Sequence, residues 1–150
     1  VSLLAHTAVR EAEVAVHHII GKEDKMSYAA IPGVVYTNPE IASVGMSEKA
    51  AKEAGYEILV GKFPFTASGK ATAAGSRDGF IKIIIDAKTD LILGAHLCGD
   101  NVTEMIAGLV VARQNGLTAK QVAGSVHPHP TLSEAIMEAI EQAYGKAVHL

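Results

Sequence analysis

The sequence predicts an α+β domain, a mainly antiparallel sheet flanked by helices. Three observations carry this. Residues 80–86 and 91–97 are two apolar stretches separated by only the four residues 87–90, which is hairpin spacing. Further strand-length apolar segments lie at 34–37, 41–44 and 58–63. Around them lie stretches of helical periodicity, several opened by a hydroxyl side chain or closed by a glycine. Strands joined by hairpins, with helices between some of them, describe neither a βαβ array nor a helix bundle.

Each element has its own justification. From residue 3 to residue 20, Leu4, Ala8, Ala12, Ala15, Val16 and Ile19 recur at helical spacing, and Gly21 stops the helix. His17 and His18 are adjacent, so they point to different sides of that helix and read as a solvated end rather than a metal pair. Residues 22–32 read as a connector. Asn38-Pro39 is turn chemistry between the strands at 34–37 and 41–44. Ser47 is a good N-cap for a helix through Ala54, which Gly55 closes. The chain returns as a strand at 58–63.

Residues 66–77 are rich in Ala, Gly and Ser and carry Lys70 and Arg77, but they lack the phosphate-loop pattern and read as a plain surface connection. Isoleucine at 81, 83, 84 and 85 predicts a strand covered on most of its surface. A helix over 102–115 ends at Gly116, and a shorter one covers 118–123. The last helix runs over 131–144, with Leu132, Ile136, Ile140 and Tyr144 along one stripe. No internal repeat or low-complexity tract interrupts this order.

Composition excludes several classes of function. A chain of 150 residues with 49% hydrophobic content is long and apolar enough for a genuine core. With no Trp and few aromatics, that core is built from Ala, Val, Ile and Leu. A net charge of −3 and the absence of a dense Lys/Arg cluster argue against nucleic acid. No apolar run approaches the roughly 18 residues of a membrane span, and the first residues lack the regions of a signal peptide. We therefore expect no membrane partner and a cytoplasmic location, or the mitochondrial matrix in a eukaryote. The single cysteine, Cys98, reads as a small core residue and cannot form an internal redox pair. No G-x-G-x-x-G follows a strand, so no dinucleotide site is visible.

The chemistry is concentrated in residues 127–135, His127-Pro128-His129-Pro130-Thr131-Leu132-Ser133-Glu134-Ala135. Histidine has a pKa suited to a general base, and a carboxylate can hold one ring nitrogen while the other takes a proton. His129 and Glu134 could be such a pair if the chain bends at the prolines. A structural alternative stands beside it: Thr131 with Glu134 matches a capping box, in which the glutamate satisfies backbone donors and does no chemistry. His127 and His129 as H-x-H could ligate a metal, but no nearby Cys or Asp completes a set, so none is expected.

The same run resembles the C-terminal active-site signature of the dihydrolipoamide dehydrogenases, within the pyridine nucleotide–disulfide oxidoreductase family. The segment Val34-Val35-Tyr36-Thr37-Asn38-Pro39-Glu40-Ile41-Ala42-Ser43-Val44-Gly45 agrees with it. So do Gly61-Lys62-Phe63-Pro64-Phe65, Leu93-Gly94-Ala95-His96 and Tyr144-Gly145-Lys146, in family order along nearly the whole chain. Leu132 stands where glutathione reductases usually carry serine, which favours the lipoamide branch and leaves a glutathione-reductase-type enzyme as the alternative. A purely structural dimerisation module is the non-enzymatic alternative for this chain by itself.

The resemblance implies two parts: residues 1–30 as the terminal helix of an FAD domain plus its connector, and residues 31–150 as the C-terminal dimerisation domain. It implies a homodimer in which His129 is the base at the partner subunit's site and Glu134 orients it. By the same resemblance the His129–Pro130 peptide is cis. Electrons would pass through a disulfide and FAD to NAD, and the parent's partner would be the lipoyl-bearing acyltransferase of a 2-oxo acid dehydrogenase complex. Leu3, Leu4, Ala5 and His6 resemble the family segment whose backbone meets the flavin at a helix start, where N–H donors and the helix dipole suit an electron-rich edge. Here Val1-Ser2 replaces the family's common Gly-Pro, and Thr7 replaces a common Lys. With one cysteine and no dinucleotide motif, the chain alone is expected to be inactive.

Overall fold

A computed structural model describes residues 2–149. Helix α1 (Ala5–Ile19) leads through the connector to the hairpin β1 (Gly33–Val35) and β2 (Glu40–Gly45), whose turn contains a cis Asn38–Pro39 peptide. There follow α2 (Glu48–Glu53), β3 (Ile58–Pro64), a single 3-10 turn at Phe65–Ala67, α3 (Gly69–Ala74), β4 (Phe80–Asp86) and β5 (Ile92–Gly99). The chain then forms α4 (Val102–Gln114), α5 (Ala119–Ala123) and α6 (Glu134–Ala143). The strands form one sheet in the order β1-β2-β5-β4-β3, every pair antiparallel. The expected α+β class is therefore the observed one, with the β4–β5 hairpin near its centre.

Strand alternation sorts the side chains. Ala42 and Val44, Phe63, Ile81, Ile83 and Ile85, and Ala95 and Leu97 are buried in one core with α4 and α6. Burial of each isoleucine contributes roughly 1.5–3 kcal/mol of transfer free energy. Ile84 points the other way, into a small second cluster with Leu93 and Ala51 of α2. Both faces of β4 are thus covered in its second half, the physical content of the isoleucine run.

Helix α6 packs its apolar face on β3 and β4. Its buried residues Ala135, Ile136, Ala139 and Ile140 face the sheet. The seat is tight because β3 offers Gly61: a Cβ there would lie 1.7 Å from the carbonyl oxygen of Ala139. One residue on, the Lys62 N–H donates to Gln142 Oε1 at 3.0 Å, so α6 also satisfies a donor on the edge strand. At the far end, the Tyr144 hydroxyl donates to Asp90 in the β4–β5 turn.

Four expectations are corrected in detail. The segment 66–77 is not a plain connection: Ser68 accepts from Ala71 N at 3.2 Å and starts α3. The last helix begins at Glu134 rather than Thr131, because the Thr131 hydroxyl donates to Pro128 O at 2.7 Å instead of capping. Cys98 is half-buried on the sheet face opposite the core rather than within it. His17 is not simply solvated: its Nδ1 bonds Asp24 at 2.7 Å, beside Arg10, whose two nitrogens reach Asp24 at 2.8 and 2.6 Å. The reciprocal capping box lies instead at Thr118 and Gln121 of α5.

Helix α1 is fastened to the connector, not to the sheet. The Arg10–Asp24–His17 cluster, the Tyr28 hydroxyl donating to Glu11 at 2.7 Å, and His6 Nε2 on Pro32 O at 2.9 Å hold it. Arg113 of α4 ties the connector to the sheet by donating to Ala29 O and Ile92 O, each at 2.8 Å. Val9, Val16, Ile19 and Ile20 of the α1 segment stay exposed.

Replacing Gly61 by alanine forces α6 off β3, because the atom it meets is backbone and cannot rotate away. A loss of about 1–3 kcal/mol of stability is expected, measured by urea unfolding. An unchanged midpoint would contradict the seat described here.

Candidate functional site

The site is the loop before α6 together with that helix's first turns. The His129–Pro130 peptide is cis. His129 Nδ1 lies 2.8 Å from Glu134 Oε1, and the Thr131 N–H donates to Glu134 Oε2, also at 2.8 Å. One carboxylate therefore does both things that the sequence left as alternatives. It satisfies a backbone donor at the helix start, and it holds the imidazole.

The proton positions follow from that carboxylate. Glu134 is held below the ordinary glutamate value, first by the Thr131 N–H and also by His129, against a desolvation penalty that acts the other way. An ionised carboxylate only accepts, so Nδ1 of His129 must carry the shared hydrogen. In the neutral ring this leaves a lone pair on Nε2. The His129 side chain is 81% exposed whereas Glu134 is 25% exposed, so the ring projects from a partly sheltered support. His127 turns to Ser125 O at 2.8 Å and takes no part.

His129 and Glu134 border a cavity of about 180 Å³, with Ser68 and Lys70 of the α3 start on one side and Glu138 and His149 on another. Sequence reasoning missed Ser68, Glu138 and His149, and it set Lys70 aside as part of a plain surface connection. Glu138 stands four residues after Glu134, a spacing that puts both on one helix face and that could have flagged it. Nothing in the sequence pattern links His149 to it across 11 residues.

Leu3, Leu4, Ala5 and His6 sit far from this in role: they form the start of α1. Leu4 is its N-cap, no side chain caps the helix there, and the first turn holds no acidic residue. Leu3 is exposed and His6 bonds Pro32 O. An uncapped helix start of this kind presents backbone donors and a partial positive charge, which fits the electron-rich edge of a flavin. Among the described residues no group of three metal-ligating side chains converges, and no helix is long and apolar enough to cross a membrane.

Residues 31–140 match the dimerisation domain of the pyridine nucleotide-disulphide oxidoreductases, and the chain belongs to that family. Its relatives narrow this further. It is 45% identical over 147 residues to dihydrolipoyl dehydrogenase of Halobacterium salinarum, covering 98% of this chain and 31% of that protein. Against the mitochondrial dihydrolipoyl dehydrogenase of Pisum sativum it is 43% identical over 148 residues, covering 99% of this chain and 30% of that one. The chain thus spans about a third of the length of these relatives.

Solved structures agree. LpdA from Mycobacterium tuberculosis superposes with a TM-score of 0.86 at 27% identity, over 92% of this chain and 30% of that one. The HOCl-induced flavoprotein disulfide reductase RclA from Escherichia coli gives 0.83 at 26% identity, over 89% and 31%.

The pH dependence of Glu134 has a definite sign. Its pKa is depressed on folding, so its stabilising contribution is complete above the ordinary value of 4.5 and is lost as pH falls through the depressed one. Thermal melts of wild type and Glu134→Gln are expected to differ at neutral pH and to converge as pH falls below 4.5 and the carboxylate is protonated. A constant gap across that range would assign the effect to shape rather than charge.

Proposed function

We propose that this chain is the dimerisation part of a flavin-dependent dihydrolipoamide dehydrogenase, with residues 1–30 closing a preceding FAD domain and residues 31–150 forming the interface domain. It supplies the homodimer contact and a base, His129, to the partner subunit's site. The observation that carries the reading is the Nδ1–Oε1 hydrogen bond of 2.8 Å, which leaves Nε2 as the acceptor on an exposed ring. The exposed apolar residues of α1 support a covering domain on that side, and the identity to dihydrolipoyl dehydrogenases supports the substrate class.

In this reading the His129 imidazole takes the proton of a dihydrolipoamide thiol at Nε2. The thiolate sulfur then bonds to one sulfur of the parent's redox disulfide, breaking the S–S bond and releasing the other sulfur as thiolate. Only a thiolate attacks readily, and thiols with a pKa near 8.5 are mostly protonated at neutral pH. Glu134 keeps the ring in the tautomer that can accept and stabilises the imidazolium that results. FAD, when bound, supplies a two-electron acceptor and NAD the final hydride acceptor. Leu3, Leu4, Ala5 and His6 would hold the flavin's electron-rich edge through the α1 start. The parent's dithiol would arrive on the lipoyl group of a 2-oxo acid dehydrogenase acyltransferase.

Rapid-mixing measurement of flavin reduction by dihydrolipoamide in the full-length parent tests this. His129→Gln should slow it by about two to four powers of ten with FAD retained. Glu134→Gln should be milder, keeping shape and a hydrogen bond but losing the charge. Reduction at the parent's rate in His129→Gln would remove His129 as the base.

The chain by itself, with a single cysteine, should show no dehydrogenase turnover even with FAD and NAD added. It should sediment as a dimer, since a two-fold pair buries the same surface on both copies. Turnover above background would refute the first expectation. Monomer alone at micromolar concentration would refute the second.

A further inference from the structure

Glu138 is the second carboxylate of the site, and it is unusually placed. It is only 5% exposed, on the cavity face of α6, one turn beyond Glu134. Burying a carboxylate is costly unless donors surround it. Its donors come from the chain's last residues: His149 Nδ1 at 2.6 Å and the Val148 N–H at 3.2 Å. Fastening these residues would not need a buried charge, since an apolar side chain at position 138 could pack against them. The geometry also repeats the one beside it. In each case a histidine Nδ1 meets a glutamate Oε1, and the other carboxylate oxygen accepts a backbone N–H.

We propose that Glu138 and His149 form a second histidine–carboxylate pair that positions and poises the first, Glu138 adding a second carboxylate to the cavity that His129 and Glu134 border. This rests on the reading of His129 as the base. The charged and titratable groups bordering the shared cavity are His129 from the loop, Glu134 and Glu138 from α6, Lys70 from α3 and His149 from residues 146–149. Side chains four apart on a helix have Cβ atoms about 5–6 Å from one another. Glu138 thus stands one helical turn from the carboxylate that holds His129, on the wall of the same cavity. Glu138 and His149 are positioning residues: neither needs to touch the dithiol.

The test uses this chain, with nitrogen-15-labelled histidines titrated by NMR. In Glu138→Gln the His129 midpoint should fall by several tenths of a pH unit, because a negative charge that favoured imidazolium has gone. His149 is 65% exposed, so His149→Ala leaves the core intact. It should also displace the His129 midpoint by releasing Glu138, and His149→Asn, which keeps a donor, should restore it. If both Glu138→Gln and His149→Ala change the melting temperature but leave the His129 midpoint in place, the pair is a structural fastening and the proposal is overturned. Should Glu138→Gln fail to fold, the His149 variants decide alone by the same criterion. In the full-length flavoenzyme, the rising limb of the pH profile of dithiol-driven flavin reduction should move with the NMR midpoint. Failure of the base assignment shows separately, as an undiminished rate in His129→Gln.

Discussion

The seating of α6 on β3 is the constraint from which the site follows. Gly61 lets the helix backbone come within the space a side chain would occupy, and Gln142 takes the strand's Lys62 N–H. That fixes the helix axis and its rotation. With the rotation fixed, Ala135, Ile136, Ala139 and Ile140 enter the core, and Glu134 and Glu138 fall on the cavity side. The sheet therefore determines where the carboxylates stand, and Glu134 determines which ring nitrogen of His129 is available. A site assembled on a packed helix in this way is held more firmly than one built on a free loop, although its histidine is itself on the loop.

Glu134 shows why capping and chemistry need not compete. A carboxylate has two oxygens and several acceptor positions. One oxygen takes the Thr131 N–H, a backbone donor at the helix start, and the other takes the imidazole. The backbone contact serves the ring contact, since it pins the carboxylate without consuming the oxygen His129 needs. It also keeps the group ionised, which a hydrogen bond to the charged form does by favouring it. The Thr131 hydroxyl, released from capping, bonds Pro128 O and braces the proline turn.

Much of the fold was legible because the strands stand out as strand-length apolar segments and the hairpin spacings and caps between them carry their own chemistry. The β4–β5 hairpin, the Asn38-Pro39 turn and Ser47 as the cap of α2 were readable for that reason. The α3 start was not: Ser68 does cap it, but the helix is only six residues long, and its one buried residue, Ala71, is too small to give a periodic signal. From residue types and spacing the His129–Glu134 pairing was one of two alternatives, favoured over the capping box by the family resemblance, and its geometry depends on the proline loop. The ion cluster at Asp24 and the pairing of Glu138 with His149 join residues from different elements, and one-dimensional pattern carries no such contact. The exposed apolar residues of α1 had the opposite character: the helical period was plain, but what the stripe faces lies outside the residues that form the sheet core.

Glu134, through its bond to Nδ1, selects the ring tautomer that the proposed role of His129 requires. Nitrogen-15 shifts of the neutral imidazole report the tautomer directly, separating a protonated Nδ1 from a protonated Nε2. The account predicts that neutral His129 carries its hydrogen on Nδ1, with Nε2 showing the shift of an unprotonated nitrogen. A neutral ring protonated on Nε2 would contradict it, because the nitrogen exposed to a substrate would then already hold the proton it is meant to accept.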